Sequence, residues 1–492
     1  MSTVDPDSVR TAAAPINAQL AYATCARLLS VPDAAGAAGT VLTPEAARAL
    51  PSQSADGRTW TFRVRPGLLF APPSGAPVTA QAFRASIERA VSPRLGAYTP
   101  ALMAVGDIVG ADAYHAGRAA HISGIAAHGD RLSITLRRPA GDLPARMAMP
   151  YFCAVPPSTP VGPGGLHRPI PSAGPYYVAS SVAGQTVLLR NPNYHGPRPR
   201  RPGRIVYTTG TSVQEAVVLV NRGGAEYLPY DFEPDSPLLP GGSISRTYGA
   251  GADRRYYPSP GTGLDLIAFN ARHGPFKDVR LRRAAVAALD RPAMAAVYPE
   301  LPSTRLVPDG VLPRGPLPDP SGSAQGHGRT AVLYYCGDPG SGRIGEIVRA
   351  NLRRIGIRVR IEPTLDCLRG PDPKRERADM SLVTLASFEL DPYPFVAAVS
   401  GDDRQLGDSV PNGWAPPLLA AQAARADRLQ GAARRQAFAA LEAKLARRAV
   451  TMAGFGQFVV PEYLSPRVGC RVFQGAYGFL DLGAACISPA TR

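Results

Sequence analysis

The residues of this chain with most capacity for chemistry are a glycine-rich run, seven histidines and six cysteines. The run Gly340–Gly345 (GSGRIG) has the G-x-G-x-x-G spacing that binds a dinucleotide, and Glu362 follows where an acid could hold the ribose. However, Gly337, Asp338 and Pro339 separate this run from the preceding predicted strand, whereas a phosphate-binding turn follows its strand directly. We therefore favour a glycine-rich loop without a nucleotide.

The histidines show none of the spacings that catalytic or metal sites require. They form no HExxH motif and no pair four residues apart, and the chain has no Gly-x-Ser-x-Gly elbow and no P-loop. An enzyme needs a nucleophile with a positioned base, a metal or a cofactor site. The sequence therefore predicts a protein that is not an enzyme and holds no metal and no cofactor.

The cysteines are even in number and widely spaced, and none forms a CxxC motif. This usage favours disulfides in an oxidising compartment, with six buried thiols in a cytosolic protein as the alternative. We predict three bridges: Cys336–Cys367, Cys470–Cys486 and, as the remaining pair, Cys25–Cys153. The first would join the ends of two neighbouring parallel strands, and the second would close a loop of about fifteen residues.

Length and charge narrow the class of protein further. A chain of 492 residues exceeds one hydrophobic core, so two or three domains are expected. The net charge is +16, and its densest cluster consists of Arg190, Arg198, Arg200, Arg201 and Arg204. This cluster has no helical basic face and no interleaved aromatic residues, so we expect no nucleic acid. We interpret it as a solvated loop or a surface that meets anionic headgroups.

Two further segments bear on location. No run of 18 apolar residues occurs, which predicts no membrane-spanning helix. Residues 1–10 lack the apolar core of a signal peptide, so the export signal is expected to be absent from this chain.

The clearest local pattern is a strand, a helix and a strand over residues 331–361. Ala331–Cys336 is a short apolar run, apolar residues at helical spacing end at Gly356, and 357–361 alternates. This order predicts a right-handed βαβ unit with parallel strands. Further helices are predicted over 278–289, with Asp278 as N-cap, and over 416–429 and 432–448.

Three separated stretches carry a resemblance to a known family. They are residues 55–70 (ADGRTWTFRVRPGLLF) with 78–89, Gly174–Tyr177 with Arg190–Tyr194, and Phe269–Asn270 with 275–284 and 288–291. In their order and spacing they resemble the extracytoplasmic solute-binding proteins of peptide-type ABC importers, the dipeptide/oligopeptide-binding family 5. The resemblance extends over about residues 19–460.

The resemblance implies an α/β fold of the two-lobe, periplasmic-binding-protein type. This would be type II of the large cluster, with mixed sheets, an inserted extra subdomain and a ligand cleft between lobes that closes by hinge motion. The implied bounds are 1–40, 168–264 and 456–492 for lobe I, 41–167 for the inserted subdomain and 265–455 for lobe II. The expected hinge residues are Ala268, Phe269, Asn270, Gly454 and Gly456.

The resemblance also implies ligand-binding residues in lobe II. In peptide-binding members, an acidic residue before a proline receives the ligand's α-ammonium. Matching the pair Asp391-Pro392 places that acid on Phe388 and a neighbouring tryptophan on Leu385, with Ser387 in the same segment. Because phenylalanine cannot pair with a buried ammonium, a ligand with a free N-terminus is in doubt. If the alignment is shifted by one residue, Glu389 takes the position of the ammonium-binding acid instead.

Three more residues are candidates for ligand contact. Tyr22 and Thr24 match the family's early segment that faces the cleft, with core packing beside Cys25 as the alternative. Trp414 would line the cleft or, as is more common for a single aromatic before a helix, anchor that helix.

The implied function is that of an extracytoplasmic, monomeric receptor that binds a small polar or peptide-like solute and delivers it to ABC permease subunits. The resemblance leaves room for membrane association through a lipid anchor outside this chain. The alternative is a ligand-sensing domain of a transcriptional regulator on the same fold. No helix-turn-helix pattern occurs in the sequence, which weighs against that alternative.

Overall fold

The computed structural model describes residues 15–32, 34, 39–95, 99–162, 166, 168–229, 236–298, 300–312, 317, 320–337, 339–364, 377–387, 389–400, 414, 417–475 and 477–488. The chain forms two compact units. Unit 1 comprises the residues up to Ser259 together with those from Val460, and unit 2 comprises Pro260–Val459. The predicted subdomain 41–167 lies inside unit 1, and the predicted lobe 265–455 lies inside unit 2.

The described strands are β1 Leu29–Ser30, β2 Thr43–Pro44, β3 Ser52–Gln53, β4 Thr59–Arg63, β5 Ile125–His128, β6 Arg131–Thr135, β7 Tyr176–Val182, β8 Gln185–Arg190, β9 Arg204–Thr208, β10 Tyr227–Leu228, β11 Tyr256–Phe269, β12 Glu300–Pro302, β13 Thr330–Cys336, β14 Arg358–Thr364, β15 Met380–Leu385, β16 Met452–Leu464, β17 Val468–Gly469, β18 Phe473–Gln474, β19 Phe479–Leu480 and β20 Cys486–Ile487. The described α-helices are α1 Pro15–Thr24, α2 Ala80–Ala90, α3 Thr99–Val105, α4 Ala111–His115, α5 Leu143–Arg146, α6 Val213–Asn221, α7 Ser243–Tyr248, α8 Val279–Ala288, α9 Arg291–Ala295, α10 Pro339–Arg353, α11 Tyr393–Ser400, α12 Pro417–Asp427 and α13 Gly431–Lys444.

A four-stranded antiparallel sheet of order β3-β4-β6-β5 forms the subdomain within unit 1. The alternation in β4 directs Trp60 and Phe62 into the core, as the period-two pattern predicts. Helix α2 packs on β5 and β6 with Phe83 and Ile87 buried. The Trp60 indole N–H donates to the carbonyl of Ala140 (3.0 Å), which satisfies its one buried donor.

A second sheet in unit 1, of order β7-β8-β9, packs against α1. Gly174 precedes this sheet, and a Cβ there would collide with the backbone of Thr24 and Cys25. Asn191 follows β8 and donates from its side-chain amide to the carbonyl of Gly174 (2.9 Å). Asn193 donates to the carbonyl of Phe70 (2.8 Å). These three motif residues therefore have structural roles.

Two of the predicted disulfides are confirmed. Cys25–Cys153 and Cys470–Cys486 each have a Cα–Cα separation of 5.2 Å, which is typical of a bridge. The third prediction, Cys336–Cys367, lies outside the described residues because residues 365–376 are not among them.

The predicted βαβ unit is confirmed in unit 2. Strands β13 and β14 are parallel neighbours, with Leu333 opposite Ile361, and α10 connects them. The expected glycine-rich loop is wrong, because Gly340–Gly345 lies within α10. A Cβ on Gly340 would collide with the Tyr298 hydroxyl, and Gly345 lies directly over Leu333 and Ile361. Glycine at position 340 lets the helix approach Tyr298 closely.

The sheet of unit 2 is mixed. β13 is parallel to β14 and β15, whereas β15 is antiparallel to β11. One face carries a core that includes Ile267, Phe269 and Ile344, and the other a core that includes Leu266, Leu385 and Trp414. Helix α8 is capped by Asp278, whose side chain accepts from the backbone N–H of Arg280, as predicted for an N-cap.

The expected hinge residues all lie within unit 2, while the division between the units falls at Ser259–Pro260 and Val459–Val460. Asn270 is buried and donates its backbone N–H to the carbonyl of Asp379 (2.9 Å). A Cβ on Gly454 would collide with the backbone of Arg305, and one on Gly456 with the Glu300 carboxyl. Both glycines are thus required by close packing, and their hinge role stays a prediction.

Candidate functional site

The segment of unit 2 matched to the family's ammonium-binding region leaves strand β15 at Leu385. Leu385 is fully buried in the core beside Trp414. Ser387 is half-buried, and its hydroxyl oxygen accepts the backbone N–H of Glu389 (3.0 Å). Glu389 is buried. Phe388 lies outside the described residues, so the choice between Phe388 and Glu389 stays a prediction.

Asp391 is held by a buried arginine. The Arg434 guanidinium donates to both oxygens of Asp391 at 2.7 Å and to Asp427 at 2.9 Å. Asp391 Oδ1 also accepts the backbone N–H of Tyr393 (2.8 Å). A bidentate pair of this kind fixes the carboxylate geometrically. Asp391 therefore links the segment that follows β15 to α13. Both of its carboxylate oxygens already accept hydrogen bonds from the protein.

Trp414 is buried, with 4% of its surface exposed, in the core that contains Leu385. Its carbonyl accepts the backbone N–H of Ala271 (3.3 Å). The side chain packs in the core in the way expected of an anchoring aromatic. A ligand contact by Trp414 remains a prediction.

Two acidic side chains form a buried pair that the sequence analysis missed. Asp265 on β11 and Glu300 on β12 are 7% and 8% exposed. Burial, and then the neighbouring Asp265 carboxylate, raise the pKa of Glu300 to about 10. The Thr384 hydroxyl donates to Asp265 Oδ1 (2.6 Å). Burial beside Asp265 therefore favours the protonated form of Glu300 at neutral pH. No local sequence pattern predicts that these two acids, which are far apart in the chain, form a buried pair.

The candidate residues of unit 1 lie around the end of α1. Thr24 turns back on the helix, and its hydroxyl donates to the carbonyl of Leu20 (2.9 Å). Tyr22 is 2% exposed, with the guanidiniums of Arg27 and Arg198 at 4.5 Å and 5.0 Å from its ring. Burial raises the pKa of the Tyr22 hydroxyl well above its ordinary value. Both residues are buried, and their contact with a ligand stays a prediction.

Arg198 is at the centre of a buried ion cluster in unit 1. It donates to the carbonyls of Tyr22 and Cys25 and pairs with Glu45 at 2.7 Å, and Arg27 lies 3.5 Å from the same carboxylate. Burial by itself lowers the pKa of Arg198, but Glu45 and nearby tyrosines outweigh it, so the pKa is raised. The interpretation of the arginine cluster as a solvated surface is wrong for Arg198.

Three other members of that cluster also bond to the backbone. Arg190, Arg200 and Arg201 donate to the carbonyls of Pro202, Asn191 and Ala484, respectively. Arginine here satisfies carbonyl groups of irregular loops.

No group of histidine, cysteine, aspartate and glutamate suited to a metal ion occurs among the residues described. Within the same residues, no helix is long and apolar enough to cross a membrane.

Comparison with known proteins gives a family and a fold. The family described as bacterial extracellular solute-binding proteins, family 5 Middle, matches residues 41–406. No curated protein matches the sequence.

Three solved structures illustrate the similarity of fold. The clavulanic acid biosynthesis oligopeptide binding protein 2 is 20% identical, with a TM-score of 0.80, and 99% of this chain and 94% of that chain are covered. The unliganded open form of MppA, a periplasmic murein tripeptide binding protein, is 18% identical, with a TM-score of 0.78 and coverage of 99% and 95%. Haemophilus influenzae OppA, in complex with RPPGFSPFR, is 16% identical, with a TM-score of 0.60 and coverage of 96% and 95%. The predicted α/β fold of the periplasmic-binding-protein type is thus confirmed.

Proposed function

Because this chain belongs to the bacterial extracellular solute-binding proteins of family 5, we propose that it binds a peptide or peptide-like solute and delivers it to the permease subunits of an ABC importer. The family match over residues 41–406 carries this proposal. The structural relatives named for oligopeptides and a murein tripeptide support the choice of ligand class. The mechanism is binding and closure, without covalent chemistry.

Location outside the cytoplasm follows from the family and agrees with the two disulfides. Within that location, we place the protein at the membrane surface, held by a lipid anchor or by the permease. The hinge would involve Ala268–Asn270 and the Gly454–Gly456 segment.

The proposed ligand does not depend on a free α-ammonium. The carboxylate expected before Pro392 is replaced at Phe388, and Asp391 is committed to Arg434. A buried ammonium without a carboxylate would be costly. A peptide with a blocked N-terminus, or a non-peptide amide, is therefore a better match than a peptide with a free N-terminus.

The test combines two measurements on the full chain. Native mass spectrometry of protein from its own host should show a retained small molecule. Calorimetry with tripeptides and tetrapeptides in matched free and N-acetylated forms should show a less than tenfold loss on acetylation. A larger loss of affinity would indicate that Glu389 binds the ammonium group of the ligand. Absence of both a retained molecule and any peptide binding would contradict the proposed function.

Closure has its own readout. The radius of gyration from X-ray scattering should fall when the bound peptide saturates the protein. An unchanged radius with full occupancy would argue against closure while leaving solute binding intact.

A further inference from the structure

The two described disulfides differ in their access to solvent. Cys25 and Cys153 are 2% and 6% exposed and contact each other in the core. Cys470 is an exposed residue, and its partner Cys486 is half-buried. Cleavage of a disulfide requires a thiolate to reach one of its sulfur atoms. Thiols in solution can therefore reach the Cys470–Cys486 bridge, whereas the Cys25–Cys153 bridge is shielded.

A cation lies against one sulfur of the exposed bridge. Arg201 Nη1 donates to Cys486 Sγ (3.4 Å) and to the carbonyl of Ala484 (2.7 Å). The backbone N–H of Arg201 donates to the carbonyl of Gly483 (2.8 Å), so both ends of the residue are fixed beside the bridge. A guanidinium beside a sulfur stabilises its thiolate form. A more stable thiolate is also a better leaving group in exchange.

The two sulfur atoms are therefore unequal. Cys470 belongs to the exposed residue and is the sulfur that a thiol in solution can attack. Cys486 is half-buried and has the guanidinium beside it, so it is the sulfur that leaves.

The bridge also restrains a small sheet. Strands β17 and β20 pair over two residues each, with Gly469 opposite Cys486, and neither pairs with another described strand. Arg467 and Ser488 add two hydrogen bonds (2.9 Å and 3.0 Å). Cys470 has a φ of 51°, in the left-handed region that residues with a Cβ rarely adopt. An element with so few bonds opens easily once its cross-link is removed.

We propose that Cys470–Cys486 is a thiol–disulfide exchange site, at which a dithiol attacks Cys470 and Cys486 leaves as a thiolate stabilised by Arg201. Reduction frees β20 from β17, whereas the shielded Cys25–Cys153 bridge stays closed. The proposal does not depend on the solute that the protein binds.

The exchange proceeds in two steps. A thiolate of the dithiol attacks Cys470 Sγ, a new sulfur–sulfur bond forms, and the bond to Cys486 breaks with its electron pair on Cys486 Sγ. The second thiolate of the dithiol then attacks its own sulfur in the mixed disulfide and releases Cys470. The dithiol is oxidised to a disulfide, the protein disulfide is reduced by two electrons, and the two protons of the dithiol pass to the two cysteines.

The first measurement compares the two bridges in the folded full chain. Dithiothreitol is the probe, and iodoacetamide labelling at timed intervals, followed by peptide mapping, reports each cysteine separately. Cys470 and Cys486 should become labelled at least about tenfold faster than Cys25 and Cys153. After this reduction, amide hydrogen exchange in β17 and β20 should speed up, and exchange in β4 and β6 should not change.

The second measurement identifies the sulfur that is attacked. 2-Mercaptoethanol is a neutral monothiol and stops at the mixed disulfide. After an acid quench, mass spectrometry should find the adduct on Cys470 and the free thiol on Cys486.

Matched variants test the arginine. Arg201→Met should slow reduction of Cys470–Cys486 about tenfold, because the leaving thiolate loses its cation. Arg201→Lys keeps the charge and should recover part of the rate. Arg118→Met, at an exposed arginine of the subdomain in unit 1, is the control and should leave the rate unchanged. Thermal unfolding checks that the three variants fold.

Four results would overturn the proposal. Equal reduction rates for the two bridges would remove the exchange site. An adduct mainly on Cys486 would reverse the assignment of the two sulfurs, and equal rates for Arg201→Met and Arg118→Met would remove the role of the arginine. Unchanged hydrogen exchange in β17 and β20 after reduction would show that the bridge does not hold this sheet together.

Discussion

Two buried clusters, one in each unit, hold their charge in different ways, although unit 2 also contains the compensated Arg434–Asp391 pair. In unit 1, Arg198 and Arg27 surround Glu45, so opposite charges compensate one another out of water. In unit 2, Asp265 and Glu300 are both acids, and protonation of Glu300, whose pKa burial and Asp265 raise, takes the place of a cation. A cation held by a carboxylate keeps its charge over the physiological range, whereas the proton on Glu300 is lost as pH rises. The difference predicts that the two units respond differently to mutation and to pH.

The chain offers a direct way to observe each unit. Its two tryptophans lie in different units, Trp60 in unit 1 and Trp414 in unit 2. In a Trp414→Phe background, fluorescence therefore reports the unfolding of unit 1, and in a Trp60→Phe background that of unit 2.

The largest effect on stability is expected from removing Arg198, the central cation of the buried cluster in unit 1. Arg198→Met would leave the carbonyls of Tyr22 and Cys25 without this donor and Glu45 with only the more distant Arg27. Breaking a buried ion pair costs about 3–5 kcal/mol. Urea unfolding followed through Trp60 should show a loss of that size.

Arg204→Met is the matched control for that measurement. Arg204 belongs to the same stretch of arginines but is exposed, so its change should stay within about 0.5 kcal/mol. Equal losses for the two variants would show that burial of Arg198 does not decide stability.

The second prediction concerns the pH dependence of unit 2. Glu300 has an ordinary pKa of 4.5 and a folded-state pKa of about 10. Between these values the folded state holds a proton that the unfolded state has released. The free energy of unfolding therefore falls as pH rises, by at most about 1.4 kcal/mol per pH unit.

Glu300→Gln keeps a neutral side chain at every pH and should flatten this dependence. Between pH 6 and pH 8, wild-type unit 2 is expected to lose up to about 2.7 kcal/mol more than the variant. Burial also raises the pKa of Asp379 and Glu442, so only the difference between the two proteins isolates Glu300. Parallel pH profiles would mean that Glu300 is ionised in the folded protein.

The smallest effect on stability is expected at Thr384, whose hydroxyl donates to Asp265. Thr384→Val removes the hydroxyl that donates to Asp265, at a cost of about 1.5 kcal/mol at pH 7. Thr330→Val, at an exposed position of β13, serves as control and should be close to neutral. If the two variants are equally stable, the hydrogen bond from Thr384 to Asp265 contributes nothing to stability.

Local elements were predictable from the sequence because their signals lie within a few residues. The βαβ unit was found from a short apolar run, a helical period and a glycine stop, and it is present as β13, α10 and β14. The Asp278 cap needs only the next two residues. Two of the three predicted disulfides are present, including Cys470–Cys486, which closes a short loop.

The candidate site was predictable only in part. Five arginines between residues 190 and 204 look alike in sequence, yet only Arg198 meets Glu45, which lies 153 residues earlier. Asp265 and Glu300 gave no signal because neither has a neighbour along the chain that predicts a buried acid. The signal was misleading at Gly340–Gly345, because the glycine spacing suits a loop but these residues lie within a helix.

By itself, the sequence determined the family, the class of fold and the elements with strong periodicity, because these depend on patterns repeated along the chain. Only the tertiary structure decided which charges are buried and which glycines are forced by a close neighbour. Those properties depend on pairs of residues far apart in the chain. Desolvation acts on the partner that folding brings near, and a linear pattern carries no record of that partner.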